Sequence, residues 1–389
     1  MIKKEVLEIR KQFTQDNCAI SRICGCYVDA EKNIKTKLKD AFLSLPEEEM
    51  FKYFEIFRKT LSGTVGKNLL NLEFPLEQES DGGTQSYLLK LRDSQLKDDD
   101  LLDDFYEKII ETYSYGENYY IILIHAAYDI PKRGKDNEEM FDASEDVYEY
   151  LLCCICPVKL SKAGLCYNEA TNNIEDRIRD WIVEAPDCGF LFPAFNDRNT
   201  DLHSMLYYSK KADELQYDLI DRFFGCTIPL TARDQKDTFN EILEEALGEK
   251  CDYETVRTIH DTLNDMLEEH KDDPEPVTLD KAEVRRLLLD GGAQGEPLER
   301  FDGHFDETVG EKESLLASNL VNTRSFEIKT PDVVIKVNPD RTDLVETKTI
   351  DGRTYLVIEV NDSVEVNGIH VRTSAADTLA ADEAAVSEE

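Results

Sequence analysis

The sequence predicts an α+β fold: a mostly antiparallel sheet with packed helices, followed by an acidic helical segment and a small C-terminal β module. Three observations carry this. From Asn118 onward the runs YYIILIHAAYD, VYEYLLCCICPVKL, GFLFPAF and SMLYYSK are β-branched and aromatic, and Gly, Pro and Asp or Asn clusters bound them. Before Asn118, apolar residues recur mainly at helical spacing. After Leu230 the apolar stripes sit among dense acids, with 23 acids against 8 bases over residues 241–320.

In chain order, residues 2–13 read as a helix. The run Cys18–Val28 reads as a strand or hairpin ending in the turn-rich Asp29–Asn33. Phe51, Phe54, Ile56 and Phe57 crowd one helix after Pro46. Leu101, Leu102, Phe105, Ile109 and Ile110 mark another, and Asp98, Asp99 and Asp100 suit its N-terminus because unpaired amides there carry partial positive charge. The sheet strands follow, with the polar stretch Pro131–Ser144 read as a surface insertion. Phe239, Ile242, Leu243, Ala246 and Leu247 form one amphipathic stripe stopped by Gly248, and Tyr253, Val256, Ile259, Leu263, Met266 and Leu267 form a second. Asp280 and Glu283 have the spacing of a capping box, opening a helix that ends at Gly291-Gly292, and Pro297 opens the next. Beyond Ser325 short alternating strands turn at Asn338–Arg341 and Asp351-Gly352.

At about 150 residues per domain, 389 residues make two or three domains. The expected division is a main domain over 1–233, an acidic helical segment over 234–272, a Pro-broken linker over 273–280, a helical hairpin over 281–310, a β module over 311–371 and a disordered acidic tail over 372–389.

Composition excludes broad classes. With 45 Lys and Arg against 82 Asp and Glu the net charge is −37, which opposes generic nucleic-acid binding and adhesion to an anionic membrane. An apolar content of 41% with 17 Tyr and 17 Phe argues for a folded chain. Without a secretory leader pattern or a run of 18 apolar residues, the expected location is cytoplasmic. The ten cysteines mostly interrupt apolar strands and lack paired CxxC spacing, so they read as reduced core residues; neither a metal nor a cofactor is expected.

Three motifs bear on chemistry. Ser62–Asn68 ends like a phosphate-binding loop, but Leu61 holds the first glycine position and Asn68 replaces the magnesium-binding hydroxyl, so a helix-to-helix turn is the better reading. Asp332, Glu346 and Lys348 match the spacing of a metal-dependent nuclease, yet too little chain follows Val360 to complete such a core and no basic surface accompanies it. The segment GFLFPAFNDRNTDLH runs an aromatic strand into Asp197, Arg198, Asp201 and His203. Asn and Asp make turns, but a turn does not require Arg198 or His203. Arg198 suits a carboxylate or phosphate, His203 exchanges protons near neutrality, and Asp201 is placed to orient the ring.

That segment, with FTQDNCAISRICGCYVDAEKN and IKTPDVVIKVNPDRTDLVETKTIDGRTYLVIEVNDSVEVNGI, resembles a family of proteins from Gram-positive anaerobic bacteria known as a domain of unknown function. The resemblance spans residues 1 to about 371. It implies a cytoplasmic bacterial protein with one recurring architecture, and it carries over no activity.

The leading functional expectation is a non-enzymatic protein that binds a macromolecule, a protein partner meeting the acidic helices of 234–310. One alternative is a hydrolase or transferase using the 196–203 loop; another is an acidic mimic of nucleic acid. Geometry separates the first two: an enzyme needs these groups in a concave pocket, whereas a binding protein leaves them on a convex hairpin.

Overall fold

The computed structural model describes residues 1–133, 139–311, 313–360 and 364–371, and of 132, 133 and 139–145 the backbone alone. The chain forms two compact units. One comprises the described residues of Met1–Thr238 with Asp272–Thr278, the other Phe239–Lys271 with the described residues between Leu279 and Val371.

The first unit runs α1 (Lys3–Arg10), β1 (Ile20–Val28), β2 (Ile34–Asp40), α2 (Glu47–Thr60), β3 (Leu69–Glu73), α3 (Leu76–Glu79), α4 (Thr84–Asp93), α5 (Asp99–Thr112), β4 (Tyr119–Arg133), β5 (Glu139–Leu160), β6 (Leu165–Asn168), β7 (Asn173–Asp176), β8 (Trp181–Val183), β9 (Cys188–Phe192), β10 (Ala194–Asn196), β11 (Asn199–Asp201) and β12 (Ser204–Ser209). Its central sheet has the order β2-β1-β4-β5-β9-β12-β3, with β8 on the end of β5. The pairings along it are antiparallel. The α+β expectation therefore holds.

Both faces of the sheet are covered. On one, Leu88, Leu91, Phe105 and Ile109 of α4 and α5 pack with Leu123, Cys153, Phe190 and Tyr207. On the other, Ile9, Phe13, Phe54 and Phe57 meet Ile122, Ile124, Cys154 and Leu191. A strand buried on both faces needs apolar side chains at every position, which is why β4 and β5 read as unbroken runs. It also places the neighbours Cys153 and Cys154 in opposite cores, since successive side chains alternate. Burial pushes the Cys154 thiol up to about 12, so it stays protonated.

Local signals explain the helix that supports the first face. Asp98 caps α5, its carboxylate accepting from the N–H groups of Asp100 and Leu101, both at 3.1 Å. Two expectations change. Pro131–Arg133 continue β4 and Glu139–Ser144 belong to β5, with register shifts around Pro131, so most of the expected insertion is a long hairpin; residues 134–138 lie outside the described residues. Ser62–Asn68 joins α2 to β3 rather than to a helix.

The second unit receives the chain through α6 (Ala232–Leu247) and continues with α7 (Tyr253–Glu269), α8 (Lys281–Asp290) and α9 (Glu296–Thr308). The capping box forms: Glu283 N–H donates to Asp280 at 2.8 Å and Asp280 N–H to Glu283 at 2.9 Å. Three small hairpins follow, over 326–337, 345–358 and 364–371. The acidic tail expected over 372–389 lies outside the described residues.

Candidate functional site

Asp197 and Arg198 form the two-residue turn of the β10–β11 hairpin, between the paired Asn196 and Asn199. Both have positive φ, 49° and 59°, the backbone a tight two-residue hairpin demands. Helix α1 grips this turn with two acids one turn apart on the same face. Glu5 accepts from Asp197 N–H at 2.7 Å, and Glu8 lies 2.8 Å from the Arg198 guanidinium. Arg198 also donates to the Pro131 carbonyl at 3.0 Å, and Tyr128 donates to Glu8 at 2.9 Å. The Arg198 and Glu8 side chains are only 18% and 15% exposed, so the pair anchors the hairpin to the helix.

His203 takes a different partner. Its ring nitrogen Nδ1 is 2.6 Å from Glu79 of α3, and the side chain is 74% exposed. The Glu79 carboxylate raises the imidazole above its ordinary value. Asp201 binds the backbone of His203, accepting its N–H at 3.0 Å, and accepts from the Asn196 amide at 2.6 Å. Burial raises the Asp201 carboxyl, but bonds from Ser204, Asn196 and His203 outweigh it and leave the group below the usual carboxylate range. The structure thus gives Arg198 and His203 separate carboxylates, and the ring is oriented by Glu79 rather than Asp201.

The nuclease spacing does not converge either. Asp332 lies in the turn between strands 326–329 and 334–337, while Glu346 and Lys348 sit on the strand 345–350, which pairs with 353–358. Lys348 and Glu346 pair with each other at 3.1 Å. Among the described residues no group of three or more His, Cys, Asp or Glu is arranged to hold a metal ion, and no helix is long and apolar enough to cross a membrane.

A concave site exists elsewhere in the first unit. A cavity of about 750 Å3 is lined by Glu49, Lys52, Tyr53, Glu55, Ile56 and Lys59 of α2, by Tyr120 of β4, and by the segment Ile182–Pro186. Its volume falls within the range of small-molecule and peptide sites. Helical spacing puts residues 49, 52, 53, 56 and 59 on one face of α2.

Tyr53 and Tyr120 meet there, their hydroxyls 3.4 Å apart. Burial raises both phenols above their ordinary value, so they remain neutral and offer a donor and an acceptor. Gly25 makes room for this pair, because a Cβ at that position would lie 2.1 Å from the Tyr120 hydroxyl. The charged groups of α2 are uncommitted: among the described residues Lys52, Lys59, Glu49 and Glu55 have no ion-pair partner. In contrast Glu184, on the opposite wall, lies 3.9 Å from Lys159.

Sequence reasoning missed this site. Helix α2 is legible through Phe54 and Phe57, but those residues face the core. The surviving signals are Gly25 inside an apolar strand and the chain's single tryptophan, Trp181, directly before the β-branched pair Ile182-Val183. Neither indicates that α2, β4 and residues 182–186 converge.

The family model described as a domain of unknown function, DUF4317, covers residues 1–369. Neither a curated protein nor a solved structure matches the chain.

Proposed function

The chain belongs to the DUF4317 family of unknown function, and from that premise we propose that it is a non-enzymatic cytoplasmic binding protein whose site is the cavity between α2, Tyr120 and Ile182–Pro186. The observation that carries this reading is a concavity whose wall joins the Tyr53–Tyr120 pair and Ile56 to exposed charged groups of α2 that have no ion-pair partner among the described residues. Lysines left open beside a concavity, on a protein of charge −37, are available to a ligand. The enzymatic alternative draws less support, since Arg198 is held by Glu8 in a shielded pair and His203 stands on an exposed turn outside the cavity lining.

A second reading keeps a protein partner on the acidic helices of 234–310. It is favoured by the ion pairs Arg257–Glu254, Lys281–Asp306, Arg285–Asp302 and Arg300–Glu296, which occupy bases while many carboxylates remain free to meet a cationic surface.

The two readings separate by variant. Ala185 is exposed on the cavity wall, so Ala185→Trp fills the cavity without disturbing the core. Leu289→Ser alters the exposed face of α8. Immobilised wild type should capture from a lysate of the source cells a partner that Leu289→Ser retains and Ala185→Trp loses. Retention by Ala185→Trp with loss by Leu289→Ser would move the site to the acidic helices.

A further inference from the structure

Strand β8 is paired on one side only. Its three residues sit against Leu160, Lys159 and Val158 of β5, and no second strand joins it among the described residues. The ladder fixes which backbone groups point where. Ser161 N–H donates to the Asp180 carbonyl and Glu184 N–H to the Pro157 carbonyl, so residues 180, 182 and 184 direct their polar groups toward β5. Trp181 and Val183 therefore turn their N–H and C=O groups outward. Their side chains are 55% and 41% exposed. Natural sheets generally shield such an edge with charge, proline or a covering element, because it templates another strand. Here the edge is three apolar residues between Asp180 and Glu184, shielded by its brevity alone, and it runs directly into the cavity wall at Ile182–Pro186.

We propose that the outer edge of β8 accepts an extended segment of a partner protein as an added strand, which lays alternate side chains into the cavity beside α2. This rests on the reading of that cavity as the binding site. A groove between an open strand edge and a helix suits this mode: main-chain bonds hold the segment, and the pocket selects its side chains. The open backbone groups of Trp181 and Val183 fit a peptide better than a simple ion or hydrocarbon, because an extended segment supplies the matching N–H and C=O groups. A second copy of this chain fits worse, since two molecules each carrying −37 repel.

The test uses the full chain and a phage-displayed library of random linear peptides. A selected peptide, fluorescein-labelled, is titrated by anisotropy, then resynthesised with N-methyl groups on alternate amides in each of the two registers. Strand addition predicts about tenfold weaker binding for one register and little change for the other, because only every second amide faces the edge. Val183→Pro, which removes an outward N–H and leaves the inward bonds of Ile182 intact, should weaken binding about tenfold, and Val183→Thr should not. Ala185→Trp separates the two claims. If it abolishes binding while both methylated registers bind equally, the cavity stands and strand addition falls. If it leaves binding unchanged while Val183→Pro destroys it, the cavity reading falls. A library without binders overturns the proposal, as does a concentration-dependent dimer that Val183→Pro dissociates.

Discussion

The guanidinium of Arg198 lies 2.8 Å from the carboxylate of Glu8, closing a contact between a hairpin turn and a helix nearly 190 residues earlier in the chain. Both side chains are largely shielded, and Tyr128 adds a bond to the same carboxylate. The pair explains why a turn made by Asn and Asp also carries an arginine: the left-handed backbone at Arg198 is tolerated because its side chain has a fixed destination.

Removing Arg198 should therefore lower stability. Arg198→Ala leaves Glu8 with one strong partner fewer in a shielded site, at a cost of about 2 kcal/mol, measurable by chemical denaturation. Above the pH at which its ring deprotonates, His203→Ala should leave the denaturation midpoint unchanged, since the ring is solvent-exposed and the Glu79 contact no longer contributes there. An unchanged Arg198→Ala protein would reopen the hairpin as a binding loop.

The His203 proton offers a direct check of the Glu79 contact. By NMR titration its midpoint should lie above the ordinary 6.5, and Glu79→Gln should lower it. The sign follows from linkage: a group whose value is raised on folding contributes stability below its unfolded value and loses it as pH rises through the folded one. The contact should thus be fully present in mild acid and absent once the ring deprotonates. A wild-type midpoint at or below 6.5 would contradict the pairing.

Thiol reactivity should follow burial. Cys24, Cys26, Cys153, Cys154, Cys156, Cys188 and Cys226 are buried, and Cys18, Cys166 and Cys251 are partly exposed. A thiol-specific chromogenic reagent should titrate at most these three rapidly in the native protein and all ten in denaturant. Rapid native reaction of more than three would mean the sheet is open to solvent.

The domain division proposed near residues 271–280 is tested by limited proteolysis. Lys271 through Val277 are exposed or nearly so and include Pro274 and Pro276, so first cleavage should fall there. A first stable fragment ending within 118–210 would place the boundary elsewhere.

Much of the fold is legible because its signals are local. Unbroken apolar runs such as YLLCCICPV mark strands covered on both faces, and Asp98 and Asp280 announce their helices through bonds made within three residues. The long β4–β5 hairpin was harder to see, because polar residues after Pro131 read as an insertion although they continue the ladder. The cavity was not legible at all. Tyr53, Tyr120 and Ile182 are separated by more than 60 residues at each step, and only the completed sheet brings them to one wall. Conversely the most conspicuous sequence, Asp197 to His203, owes its Arg and His to tertiary partners, Glu8 and Glu79, that no local pattern names.

Site-specific photocrosslinking in the source cells decides whether this protein binds through the α2–β8 cavity. A benzophenone side chain replaces Ile182 on the cavity wall or Leu289 on the exposed face of α8. A discrete covalent adduct is expected from position 182 that disappears when Ala185→Trp is added, and none from position 289. An adduct from 289 without one from 182 would contradict binding through the cavity and assign partner recognition to the acidic helices.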